Sequence, residues 1–199
     1  MERGSGILLH ISSLPSPYGI GTLGRAAYEF IDFLKRAGQK YWQILPISPT
    51  GFGDSPYQSY STFAGNPYFI DLDTLSEDGK LDPSVYRDIK WCDNPEYADY
   101  GRLFENRISV LKQAYRADID DLREELIDFR SQKSYWIENY ALFMALKYKY
   151  DLKPYTEWPD DIKIRKPEAM ISAYNELCNE IEFWVYVQYR FFEQWERLK

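Results

Sequence analysis

Hydrophobic positions along the chain change period several times, and each change marks an element. Gly6 to Ile11 is a short apolar run that gives way at once to turn formers from Ser12 to Gly19. This predicts a buried strand emptying into an ordered loop. From Arg25 the apolar residues Ala27, Phe30, Ile31 and Leu34 recur at helical spacing, and Gly38 after Ala37 is a residue that commonly ends a helix. Tyr41 to Ile47 (YWQILPI) is then apolar and aromatic throughout, as in a second buried strand. Strand, loop, helix and strand in that order predict a parallel βαβ unit. Pro46 has no amide to donate to a ladder, so the second strand is expected to stop near it.

Residues 48–67 break the pattern. They are rich in Gly, Pro and Ser and carry Phe52, Tyr57, Tyr60 and Phe63. Long loops of this kind are functional or disordered, and the aromatics argue against disorder, so this is the candidate functional segment. Phe69 to Leu72 (FIDL) predicts a short strand, and residues 75–90 a polar connection with an early helical turn. Beyond Tyr97 the chain reads as helical, with segments near 99–117, 118–132, 134–150 and 167–199. Pro154, Pro159 and Pro167 punctuate the connection at 151–167, the last of them at the first turn of a helix. The final segment has a wide apolar face from Ile171 to Leu198, which predicts cover on both sides.

Composition adds limits. A chain of 199 residues with 45% hydrophobic content can bury a core. A formal charge of -7 leaves no electrostatic footprint for a phosphate backbone, so nucleic acid is not an expected partner. The 18 Tyr and 6 Trp suit sugars, which present C–H faces and hydroxyl edges, although helix packing accounts for most of them. Cys92 and Cys178 match neither a disulfide framework nor a metal spacing, so no metal site and a reduced, cytoplasmic setting are expected. The opening apolar run is too short for a signal peptide or a membrane span. His10 is the only histidine; it reads as a hydrogen-bonded structural residue near a barrel rim. Asp71 and Asp73 alternate along the expected strand, which puts both on a solvated or turn-facing side and argues against catalysis. Asp54, between Gly53 and Ser55, reads as a loop-organising Asx cap or an acceptor for a sugar hydroxyl.

Three segments, LLHISSLPSPYGIGTLG at 8–24, YWQILPISPTGFGDSPYQSYSTFAGNP at 41–67 and FWVYVQYRFFEQW at 183–195, together resemble the amylomaltase family of disproportionating 4-α-glucanotransferases, glycoside hydrolase family 77. The resemblance implies an α/β fold: the N-terminal portion of an α-amylase-type (β/α)8 TIM barrel, contributing its first two parallel strands and an inserted, mostly α-helical subdomain. Residues 1–75 would be the first βαβ unit with the substrate loop, and 76–199 the helical insertion leading to a third strand. Such barrels run to about 250 residues before insertions. The family's catalytic carboxylates, an acid/base and a nucleophile roughly 5–5.5 Å apart in retaining enzymes, are accordingly expected beyond Lys199.

The same resemblance assigns the loop. Tyr57 would be the aromatic platform beside the cleaved bond, Ser55 and Gln58 would hydrogen-bond sugar hydroxyls, and Asp54 and Asn66 would touch sugar or brace the loop. Phe52 would stack at a second, non-catalytic glucan contact. Tyr18 and Gly19-Ile20-Gly21 would shape the rim; Tyr97 and Tyr100 fit an outer groove or a helix interface equally well. The implied activity is transfer of α-1,4-glucan segments between maltooligosaccharides by double displacement, without a cofactor. The alternatives are a non-catalytic glucan-binding fragment or a half-domain that needs a complementing chain. Uncovered barrel edges would favour self-association.

Overall fold

The computed structural model describes residues 3–199. Strand β1 (Gly6–Leu8) pairs in parallel with β2 (Tyr41–Gln43), with Gly6 opposite Tyr41 and Leu8 opposite Gln43, and helix α1 (Arg25–Arg36) is the crossover. The expected βαβ unit is present. Gly38, at φ 67, ends the helix as expected. Phe30 of α1 meets the Trp42 ring edge to face at 5.0 Å, and Trp42 Nε1 donates to the Leu9 carbonyl at 2.7 Å. Both strands are shorter than the apolar runs that announced them. They are also exposed where buried strands were expected: Leu8 is 58% and Tyr41 65% accessible. The physical reason is that, among the described residues, the sheet has two strands and no layer covers both of its faces.

The strand expected at residues 69–72 is absent. A 3-10 turn (Pro67–Phe69) and helix α2 (Leu72–Glu77) occupy the region. Local capping decides this. Asn66 Oδ1 accepts the Tyr68 amide at 3.0 Å and Asp71 Oδ1 accepts the Thr74 amide at 2.7 Å, so each polar side chain starts a helical turn. Asp71 is therefore buried and not on a solvated side. Its Oδ2 accepts from Thr22 Oγ1 at 2.6 Å, and a Cβ on Gly24 would lie 2.1 Å from that oxygen.

The helical half contains α3 (Tyr100–Asp118), α4 (Arg123–Gln132), α5 (Ile137–Lys149), α6 (Asp160–Lys163), α7 (Pro167–Glu176) and α8 (Cys178–Leu198). The single segment expected over 167–199 is two helices, broken at Leu177. Ile171 of α7 is 63% exposed and α7 buries Ala173, so the cover expected along that whole face lies mainly on α8, where residues 183–187 are all buried.

The chain forms two compact units, residues 1–120 with 190–199, and residues 121–189. In the first unit the end of α8 is bound closely. Gln194 Oε1 accepts the Asp71 amide at 2.7 Å while its Nε2 donates to the Asp71 carbonyl at 3.0 Å. Arg190 pairs with the buried Asp118, which Lys80 also approaches at 3.0 Å. In the second unit α5 is buried on most sides. Its Lys147 Nζ donates to the Leu152 carbonyl at 2.7 Å, across a turn in which Asp151 and Leu152 both have positive φ. Cys92 and Cys178 are free thiols. No helix among the described residues is long and apolar enough to cross a membrane.

Candidate functional site

The segment after β2 is an ordered loop built from short-range hydrogen bonds. Its base closes where the Asn66 amide donates to the Ile47 carbonyl at 2.8 Å. Thr50 and Ser59 form an antiparallel bridge, and the Gly51 amide donates to the Gln58 carbonyl at 2.9 Å. At the tip, Gly53 (φ 90) and Asp54 (φ 56) are consecutive left-handed residues. Glycine, aspartate and asparagine tolerate that region best, which explains a Gly-Asp pair there. Ser55 Oγ then accepts the Tyr57 amide at 3.3 Å, Ser59 Oγ the Ser61 amide at 3.2 Å, and Ser61 Oγ the Phe63 amide at 3.2 Å. The serines thus hold the exposed part of the loop, and the buried Ala64 and Gly65 bring its return onto the core.

What this scaffold presents is aromatic. Phe52 is 98% and Tyr57 75% exposed, next to the exposed Gln58 and half-buried Ser55 and Asp54. These five expected site residues share one hairpin. Asn66 is at the loop base, buried, with its Oδ1 given to the Tyr68 amide, so it braces the loop from beneath. Exposed aromatic rings on an ordered loop gain nothing for folding, whereas a bound partner with C–H faces would cover them.

Asp54 organises the electrostatics. Its backbone amide donates to the Gly51 carbonyl at 3.1 Å. Burial pushes its carboxyl above the usual carboxylate range. Tyr68 is pushed up to about 12, first by burial and then by the charge of Asp54; Tyr60 and Tyr100 are raised by the same two causes in the same order. The Tyr68 and Tyr100 rings lie 6.3 Å apart. That the charge of Asp54 acts on three phenols was not legible in the sequence. Tyr60 and Tyr68 stand out only as more tyrosines, and Tyr100 comes from a helix more than thirty residues further on.

Below the loop, Arg107 is fully buried. Its guanidinium donates to the Tyr18 and Ile70 carbonyls at 3.3 and 3.4 Å and lies 4.9 Å from the centre of the Trp91 ring. It thereby fixes the first loop against the segment after residues 48–67. Asp73 accepts both the Tyr18 and the Tyr86 hydroxyls, each at 2.7 Å. Asp71 and Asp73 are thus committed to capping and bracing. His10 is buried, as expected of a structural residue, but it packs edge to face on Phe69 at 5.3 Å and its Nδ1 has no hydrogen-bond partner. The hydrogen bond expected there is not made, and burial lowers the pKa of the ring. No group of three or more His, Cys, Asp or Glu suited to a metal ion occurs among the described residues.

A family model described as 4-alpha-glucanotransferase matches residues 9–199. A 4-alpha-glucanotransferase of Clostridium butyricum is 50% identical over 191 residues, covering 96% of this chain and 39% of that protein. One from Thermus thermophilus is 44% identical, covering all of this chain and 40% of its own length. Among solved structures, an amylomaltase from Streptococcus agalactiae in complex with acarbose matches the whole chain with a TM-score of 0.95 at 43% identity, over 40% of that protein. The chain spans about 40% of the length of the relatives it matches.

Proposed function

The chain belongs to the 4-alpha-glucanotransferase family, and from that membership we propose that it supplies the glucan-binding loop for transfer of α-1,4-glucan segments between maltooligosaccharides. One observation carries the reading: an ordered hairpin after a parallel strand holds Phe52 and Tyr57 in solvent beside Ser55, Gln58 and Asp54. Loops at the C-terminal ends of barrel strands are where (β/α)8 enzymes build their sites. The division into a βαβ unit at 1–75 and a helical insertion at 76–199 belongs to this proposal.

Tyr57 would stack against a glucosyl ring, with Ser55 and Gln58 bonded to its hydroxyls. Asp54 would accept from a further hydroxyl, and Phe52, lacking a phenolic oxygen, would contribute stacking alone. Asn66 would act indirectly by holding the loop base. Retaining transfer needs two carboxyl groups flanking the bond. Asp71 and Asp73 already accept hydrogen bonds from Thr22, Thr74, Tyr18 and Tyr86, which leaves them poorly suited to that work. Sugar binding therefore falls to the loop residues, and bond cleavage to carboxylates outside them. Transfer to a glucan in place of water would depend on aromatic subsites that hold the acceptor and exclude solvent. Starch, glycogen and maltose are the corresponding natural sources of substrate. The free thiols of Cys92 and Cys178 fit a reducing cytoplasm.

The test is incubation with maltotriose and measurement of glucose and longer oligosaccharides, together with a fluorescence titration using maltoheptaose or acarbose. The expected result is a saturable fluorescence change without products. Glucose and longer chains appearing together would overturn the placement of the chemistry, and a flat titration would overturn the sugar-binding reading.

A further inference from the structure

The first unit contains a cleft that includes no residue of the substrate loop. It has a volume of about 270 Å3 and opens between the first loop and residues 92–98. Ser12, Ser13 and Ser16 line one wall, and Cys92, Glu96 and Tyr97 the other.

Both walls are fixed. Gly21 lies so close to the turn before it that a Cβ would sit 1.9 Å from the Ile11 carbonyl oxygen. A Cβ on Gly19, already at φ 80, would be 2.7 Å from the Trp91 carbonyl oxygen. Only glycine lets these backbones approach. Trp91, next to Cys92, is held by the bond from its Nε1 to the Tyr86 carbonyl at 2.9 Å and by the Arg107 guanidinium on its ring. On the same wall Asn94 Oδ1 accepts the Glu96 amide at 2.9 Å, shaping the turn that carries Tyr97. The cleft is preorganised, so a ligand would not have to order it.

Its chemistry selects a class of occupant. No Lys or Arg lines it and Glu96 is its one carboxylate, so phosphates and other anions are disfavoured. The Ser12 and Ser13 hydroxyls can each donate and accept, as sugar hydroxyls require, and Ser16, whose Oγ already accepts the Tyr18 amide at 3.1 Å, can still donate. Leu14 and Ile20 provide an apolar floor, and Tyr97, 71% exposed, presents an aromatic face to C–H groups. The volume falls just below the about 300–1,000 Å3 of drug-sized sites, which suits a chain end better than a long chain. We propose that this cleft is a further sugar site, separate from the contacts of residues 48–67, taking the terminal unit of a neutral oligosaccharide such as maltose. The choice of a glucan rests on the function proposed above, whereas the cleft's neutrality and shape do not.

Cys92 gives a local readout, with the exposed Cys178 of the other unit as its control. The full chain would be alkylated with iodoacetamide in the presence and absence of maltose, and modification at each cysteine monitored by peptide mass spectrometry. Maltose should slow alkylation at Cys92 several-fold and leave Cys178 unchanged. Tyr97→Ala should abolish the protection, Tyr57→Ala should leave it intact, and glucose 6-phosphate should protect poorly. Four results would overturn the proposal: no protection up to saturating maltose, equal slowing at both cysteines, equal protection by the phosphorylated sugar, or protection that survives Tyr97→Ala but vanishes in Tyr57→Ala. If Tyr57→Ala has no effect on the fluorescence titration while Cys92 remains protected, the loop assignment fails and the cleft stands.

Discussion

Tyr57 and Asp54 share a hairpin and owe their positions to opposite physics. Tyr57 is exposed on a loop held by serine hydroxyls, so removing its ring should cost binding and little stability. Aromatic stacking contributes about 0.5–1.5 kcal/mol beyond area burial. Tyr57→Ala is accordingly expected to weaken maltoheptaose binding roughly 2–12-fold, with an unchanged urea midpoint; a shifted midpoint would make Tyr57 a structural residue. Asp54 bears a cost. Its carboxyl is partly buried and its pKa is raised above 3.8 in the folded chain. The native state therefore holds the proton more tightly than the unfolded state. Stability falls as pH rises from the unfolded value through the folded one and stays reduced above it. Asp54→Asn keeps a residue that tolerates φ 56 and removes the charge. The variant should be more stable than the parent at pH 7, with the difference shrinking toward pH 3 in urea titrations. A difference independent of pH would point to a cause other than ionisation.

Elements in the first unit are joined by a few buried polar clamps. Gln194, near the end of α8, satisfies both the amide and the carbonyl of Asp71, the residue that caps α2. Gln194→Leu would fill similar space but leave the buried Asp71 amide without its acceptor, at about 1–3 kcal/mol, while the Asp71 carbonyl keeps the Leu75 amide at 3.4 Å. A loss within that range in the urea unfolding free energy is expected, and near-neutrality would mean that solvent replaces the clamp. Apolar packing controls the return of the 48–67 loop in a similar way. A Cβ on Gly65 would lie 2.0 Å from Phe191, itself buried, so Gly65→Ala should destabilise by about 1–3 kcal/mol through overpacking. Because Gly65 precedes the loop's closing residue Asn66, the variant should also weaken sugar binding. Full stability together with lost binding would show that the loop moves independently of α8.

For the whole molecule, the two-stranded sheet is the exposed feature. Ile7, Leu8 and Tyr41 are accessible, and parallel strands of this kind are ordinarily buried on both faces. A strand edge with apolar neighbours templates pairing with another chain. The isolated polypeptide should therefore associate with increasing concentration in sedimentation velocity, and Leu8→Lys should reduce that association without lowering the thermal midpoint. A concentration-independent monomer would show that the sheet needs no cover.

Local rules fixed much of this protein in advance. The apolar period placed α1, the two apolar runs placed the parallel pair, and Gly, Pro and Ser density marked residues 48–67 as the loop, because periodicity and turn chemistry act within a few residues of chain. Motif resemblance supplied the family, which composition alone could not. The same rules failed at residues 69–72, where the short FIDL alternation looked like a strand but Asn66 and Asp71 capped helical turns. Tertiary structure alone decided what depends on distant partners: that Asp71 is buried and bonded to Gln194, that Tyr18 and Tyr86 share the carboxylate of Asp73, and that the Tyr100 ring lies beside that of Tyr68. It also decided that Ser12 and Tyr97 face one cleft. These pairings join residues far apart in sequence, and hydrogen bonding and burial between such residues leave no period for a linear reading to detect.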